Sequence, residues 1–279
     1  RRAVTASIPS PIGGWNARDS LAEMNPMDAV QLVNFFPTPS DVMLRKGYTK
    51  KSIGISGTVE SLMNYAGTTN QTLFAAAGTT IYETTATATS KVTGLTNARF
   101  QHVNISTAGG DFLVACNGAD PVQVYNGTYW FSIATTDVAQ TISTITHVGT
   151  TATLTTAAAH GLVTGNQVTI SGASPTEYNG TYKITVVDAT TFTYVMASTP
   201  ATDATTVGTY DPLGISGVDN RTFINVNLFK NRLWFTQKDT MKVWYLEVNT
   251  IAGAATEIDF GGIARSGGYL QAMGTWTLD

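Results

Sequence analysis

One unit recurs along this chain and limits what it can fold into. Residues 61–65, a polar turn, residues 73–78 and residues 80–82 form its first copy. Residues 100–103, a Gly109-Gly110 turn, residues 112–118 and residues 122–125 form the second. Residues 223–226, a Lys230-Asn231 turn, residues 233–236 and residues 241–245 form the third. Each reads as a strand, a turn, a more apolar strand, a turn, and a strand closing on an aromatic: Tyr82, Tyr125 or Tyr245. Short strands between tight turns predict an all-β chain built from antiparallel sheets. Tyr82 and Tyr125 stand about 43 residues apart, the spacing of propeller blades, whereas Tyr125 and Tyr245 stand about 120 apart.

A change of composition explains the longer interval. Residues 139–211 are rich in Thr, Ala and Val and hold Lys183 as their one basic residue. Without that stretch the interval returns to about 47 residues, close to one blade. The expectation is a small inserted domain, an antiparallel sandwich or barrel, in a partial β-propeller-like body. Five strands are predicted in it, at 142–148, 152–156, 167–171, 182–187 and 191–196, separated by turns at Gly161, Gly165, Gly172, Asn179-Gly180 and Asp188. The chain then divides into residues 1–138 (an N-terminal arm and the first blades), 139–211, and 212–279 (the body continued).

One short helix is expected near the start. Asn25, Pro26 and Asp28 read as N-cap, first helical position and acidic first turn. Val30, Leu32 and Val33 give an apolar face, and Pro37 and Pro39 end it. Thr supplies roughly a sixth of the chain and charged residues 13%, which suits strands more than helices. The net charge of −3 argues against a nucleic-acid binder that works by bulk charge. One cysteine excludes an internal disulfide framework. No apolar run reaches the roughly 18 residues of a membrane-spanning helix. The chain begins without Met and stops at Trp276-Thr277-Leu278-Asp279 inside a strand-like run. It reads as a piece of a longer polypeptide whose C-terminal part is missing.

Catalytic patterns are not found. No P-loop, His-Glu-x-x-His or Gly-x-Ser-x-Gly occurs, and the stretch from Gly54 to Thr58 lacks the last glycine of an elbow. His102 reads as a strand residue, His147 as one of an alternating threonine strand, and His160 as a turn cap. Cys116 lies in an apolar run and reads as a small buried residue. Asp111, Asp120, Asp211 and Asp219 stand next to Gly, Pro or Asn, and ordinary turn chemistry is the reading for them and for Asp188 and Asp259. No catalytic, cofactor-binding or metal residue is therefore assigned. One charge feature stands out: Arg45, Lys46, Lys50 and Lys51 fall within seven residues. They are the candidate channel or subunit-interface cations.

Two blocks of residues resemble a known family. The first holds Gly13-Gly14-Trp15-Asn16-Ala17-Arg18-Asp19-Ser20, Met24-Asn25-Pro26-Met27-Asp28-Ala29, Asn34-Phe35-Phe36-Pro37 and Arg45-Lys46-Gly47. The second holds residues 229–235, Val243-Trp244-Tyr245-Leu246, Ile258-Asp259-Phe260-Gly261, Gly267-Gly268-Tyr269-Leu270 and Thr275-Trp276-Thr277. Together they resemble the tail nozzle, or tail tubular and packaged-DNA stabilisation, proteins of short-tailed bacteriophages, over roughly residues 10–135 and 214–279. The stretch from His160 to Gly172, with Tyr178-Asn179-Gly180-Thr181-Tyr182 and Thr191-Phe192-Thr193-Tyr194, resembles small β modules of phage virion proteins. There Asn179-Gly180 is expected to be a hairpin turn and His160-Gly161-Leu162 a bend.

The resemblance implies a structural virion protein and not an enzyme. Several copies, commonly six, would form a ring below the portal and adaptor and continue the channel for double-stranded DNA. The ring would dock tail fibres or a tail tip, retain and eject the genome, and assemble in the host cytoplasm. It implies no cofactor and no membrane span. The alternative is a receptor- or glycan-binding virion protein that acts through residues 139–211.

Overall fold

The structure is a computed structural model and describes residues 9–263 and 267–275. The expected strand-like run at 276–279 lies outside them, as do residues 1–8 and 264–266. The described chain is all-β, with 45% of it in strands and 2% helical. It divides into two compact units, residues 1–50 and 51–279.

In the first unit, Gly14–Trp15 pairs parallel with Asp28–Ala29, and Phe35–Pro37 pairs antiparallel with Val42–Leu44. The helix expected after Asn25 does not form. Asn25 does cap a turn, since its Oδ1 accepts from the Met27 N–H at 2.9 Å and its carbonyl from the Asp28 N–H at 2.8 Å. The chain is then drawn off into a ladder. Asp28 pairs with Gly14, and its carboxylate accepts from Asn16 Nδ2 at 2.8 Å. Asn34 sits at φ 62°, a left-handed conformation that no helix interior admits. The β-branched Val30 and Val33 add little helix propensity, and both remain exposed.

The second unit holds three four-stranded sheets of one topology. Val59–Ala66, Gln71–Ala77, Thr80–Glu83 and Thr89–Val92 lie in sequence order in the first. Gln101–Thr107, Gly110–Cys116, Gln123–Tyr125 and Trp130–Ser132 do so in the second. Phe223–Phe229, Arg232–Gln237, Lys242–Tyr245 and Thr256–Asp259 do so in the third. All are antiparallel. The strand–turn–strand–turn–strand units of the sequence are therefore present, each with a fourth strand that is short and, in the first and third sheets, polar.

The sheets stack face to face. Met63, Phe74, Ile81, Leu113, Tyr125 and Trp130 form one core between the first and second sheets. Phe74 meets Tyr125 and Trp130 edge-to-face, with ring centroids 4.8 and 5.0 Å apart, a geometry that adds to area burial. Val114, Val124, Phe131, Phe223, Leu233, Phe235 and Trp244 form another between the second and third. Alternation makes this possible: Leu113 and Ala115 face one core, Val114 and Cys116 the other. The first strands of neighbouring sheets adjoin one another, Gln101–Thr107 between Val59–Ala66 and Phe223–Phe229.

Residues 140–212 form a seven-stranded ladder around a core of their own. Gly180–Lys183, Gln167–Ser171 and Thr209–Pro212 make one half, and Thr151–Thr156, Thr191–Val195 and Thr185–Val186 the other. Gln140–Val148 joins them: Gln140 and Thr141 pair with Thr209–Pro212, and from Ile142 onward, across a bulge at Ile142/Thr144, it pairs with Thr151–Thr156. Ile145, Leu154, Val168, Ile170, Phe192 and Tyr210 fill the space between the halves.

Three details differ from the expectation. The predicted strand at 182–187 is two strands, because the buried Ile184 marks the crossing from one half to the other. Thr209–Pro212 is a further strand. Asn179-Gly180 is not a two-residue hairpin turn: Asn179 follows a 3-10 turn and bonds Ala173 through both amide atoms, at 2.9 and 2.7 Å, while Gly180 already pairs with Ile170.

The outer face of the second half is unusual in its chemistry. Thr146, Thr153, Thr193 and Thr185 stand opposite one another across four strands. Thr144, Thr155 and Thr191 form the next row, and Val148, Thr151 and Val195 the third. Every one is β-branched and none is charged.

Candidate functional site

The four candidate cations occupy a stretch without regular structure. Arg45 is tied by its N–H to the Asn34 carbonyl at 2.7 Å, and Ile53 by its N–H to the Ala86 carbonyl at 3.1 Å. Between them Arg45, Lys46, Lys50 and Lys51 are all exposed, and Tyr48 is 85% exposed. None of the four makes an ion pair among the described residues. Elsewhere pairing is the rule: Arg18, Lys91, Arg99, Arg221, Arg232 and Lys242 each meet a carboxylate at 3.4 Å or less. No acidic residue occurs between Asp41 and Glu60. The chain leaves this positive stretch without local compensation.

The histidines are held in place by neighbours. The Leu162 N–H donates to His160 Nδ1 at 3.0 Å, so Nε2 carries the proton and donates to the Asp188 carbonyl at 3.1 Å. His160 thus closes the bend at Gly161, which sits at φ 65°. His102 is half-buried, and desolvation holds its imidazole below the ordinary value. His147 belongs to a cluster that sequence reading missed. Its Nδ1 lies 2.7 Å from the Tyr178 hydroxyl and 3.1 Å from Asp203 Oδ1. Tyr178 donates its proton to the Thr202 carbonyl at 3.0 Å, which leaves His147 Nδ1 as the donor. Burial raises the Tyr178 phenol above its usual range. The residues lie 31 and 25 positions from one another, and no motif spacing marks them.

The carboxylates act as turn clasps. Asp120 accepts from the Thr96 N–H and hydroxyl, both at 2.8 Å, and Asp219 caps the Asn220–Thr222 turn. Cys116 is fully buried and free, and burial pushes its thiol far up. Among the described residues no group of three or more His, Cys, Asp or Glu could hold a metal ion. Among the described residues no helix is long and apolar enough to cross a membrane.

A cleft of about 480 Å³ opens where the second sheet meets the 140–212 segment. Lys91, Gln123, Trp130, Ser132, Lys183 and Arg221 line it. Its cations are all engaged. Lys91 meets Glu83 at 2.7 Å, Arg221 meets Asp219 at 2.7 Å, and Lys183 Nζ donates to the Trp130 carbonyl at 2.7 Å. Desolvation lowers the Lys183 ammonium. Asn166 completes this seam, its Nδ2 donating to the Ser132 carbonyl and hydroxyl, each at 3.1 Å. The cleft joins two parts of the fold, and of its cations Lys91 and Arg221 meet carboxylates while Lys183 meets a backbone carbonyl. No protein-family model matches the chain, and no curated protein matches it significantly.

Proposed function

We propose that the chain is a structural component of a phage tail, part of a ring below the portal and adaptor that continues the DNA channel. One observation carries this reading: three four-stranded meanders, consecutive but for one interruption, stack face to face with their first strands adjoining. Blades of a propeller-like body pack in that way, and the motifs flanking the 140–212 segment resemble the tail nozzle family. In this reading residues 139–211 are an inserted, peripheral domain. The remaining blades come from a longer chain or from a neighbouring copy, which would cover the open sheet faces. The protein acts by assembly and has no catalytic role. Its partners are further copies of itself (six in the commonest arrangement), the portal and adaptor, and fibres or a tail tip.

Electron-microscopic class averages of the protein mixed with portal and adaptor test this. Coaxial rings under the portal, each subunit bearing an outward knob, are expected. Monomers that ignore the portal would overturn it.

A second reading has its own support in the uncharged Thr and Val face of the 140–212 segment. Such a face suits a neutral, hydroxyl-rich partner, and a receptor- or glycan-binding role would place recognition there. Decoration of cell envelopes by the isolated protein, lost when Thr153 and Thr193 become Lys, is the result that would favour it.

A further inference from the structure

We infer that Arg45, Lys46, Lys50 and Lys51 form a sequence-independent contact for the phosphodiester backbone of nucleic acid. All four cations are exposed and none makes an ion pair among the described residues, although six of the nine other described cations are paired. The stretch is held at both ends, at Arg45 and Ile53, and its intervening backbone makes no backbone hydrogen bond among those described. Its side chains are therefore presented to solvent without a fold of their own to serve. Fully extended, the six intervals from Arg45 to Lys51 reach about 20 Å, a length along which one strand of a duplex carries about six phosphates.

The chemistry favours phosphate over a protein carboxylate surface. Cations of both kinds are present, Arg45 for bidentate contacts and three lysines as point charges, with Tyr48 among them and no acidic residue between Asp41 and Glu60. Tyr48 gives the segment a face on which an unpaired base can stack. Duplex and single-stranded nucleic acid share the phosphate contact and differ in that stacking.

This contact deepens the channel reading and rests on it for its biological setting, but its test does not need the ring. The intact protein is titrated with a duplex of mixed sequence and with a single strand, over a range of salt. Release of about four counterions gives a duplex slope of about −3.6 in log affinity against log salt, or roughly 150-fold weaker binding between about 50 and about 200 mM. Changing Arg45, Lys46, Lys50 and Lys51 to Gln should abolish that slope. Changing Lys230 and Lys238 to Gln should leave it unaltered. Tyr48→Ala should weaken the single strand and spare the duplex. Far-ultraviolet dichroism checks that each variant folds.

Binding to the duplex that survives the fourfold change overturns the inference. So does dispersal of rings by that change with nucleic-acid affinity intact, which would make the segment a subunit contact. Binding as described, from a protein that forms no ring, sustains the contact and sinks the nozzle.

Discussion

The carboxylate of Asp111 clasps Thr68 of the preceding sheet, accepting from its N–H at 2.6 Å and its hydroxyl at 2.7 Å. Ser106 adds a third donor at 2.6 Å. Each donor favours the charged form, and the Asp111 pKa falls from 3.8 to about 2. A depressed carboxylate stabilises the fold above its unfolded value, and that contribution fades as pH drops from about 4 to about 2. Asp111→Asn should therefore be less stable than wild type at neutral pH, with the two curves converging near pH 2. Urea midpoints across this range measure it, and a difference that does not change with pH would refute the assignment.

Asn220 is fully buried between the second and third sheets. Its Oδ1 accepts from the Val122 N–H at 3.3 Å, and its Nδ2 donates to the Ile133 and Ala134 carbonyls at 3.2 and 2.8 Å. Asn220→Ala strands three backbone groups in the interior and should cost about 3 kcal/mol. Chemical denaturation reads the loss. A cost below about 1 kcal/mol would mean that water replaces the amide.

Asn166 and Lys183 fasten the 140–212 segment to the outer strand of the second sheet. Replacing both, as Asn166→Ala with Lys183→Met, should loosen that seam by about 2 kcal/mol while leaving both cores intact. Calorimetry should then resolve a separate, earlier transition for the segment. A single unshifted transition would show that the apolar contacts alone hold it.

Gly214 lies against the chain where it leaves the second sheet. A Cβ there would overlap the Thr136 carbonyl, which is backbone and cannot swing away. Gly214→Ala should destabilise by about 3 kcal/mol. A melting temperature equal to wild type would contradict the close approach.

The buried thiol offers a probe of opening. Cys116 should resist a thiol reagent in native buffer and react at the rate at which the second sheet separates from its neighbours. Immediate labelling without denaturant would place it at the surface.

Much of this fold is written in alternation and turns. The apolar strands at 73–78, 112–118 and 233–236 announce themselves because both of their faces are buried. Their fourth strands do not. Thr89–Val92 and Thr256–Asp259 lie at sheet edges with hardly any apolar residues, and only the partner strand marks them as strands. The helix after Asn25 fails for the opposite reason. Its local signals are genuine, but Gly14 and Asn34 impose a ladder and a left-handed turn that propensity does not register. At the candidate site, the four cations are legible as a cluster. Their lack of partners is not, because pairing elsewhere joins residues such as Arg99 and Glu60 that lie far apart in sequence. The His147–Tyr178–Asp203 cluster is invisible in sequence for the same reason.

Ala134 receives the Leu213 carbonyl on its N–H and gives its own carbonyl to the Ile215 N–H, at 3.0 and 2.9 Å. The chain thus departs and returns across a single bridge. The two ends of a 78-residue excursion, from residue 135 to residue 212, are neighbours in space. A foreign module whose own termini lie side by side could be spliced there without altering the path of the flanking strands. The same closeness makes this junction a natural point for exchange of whole modules between related genes.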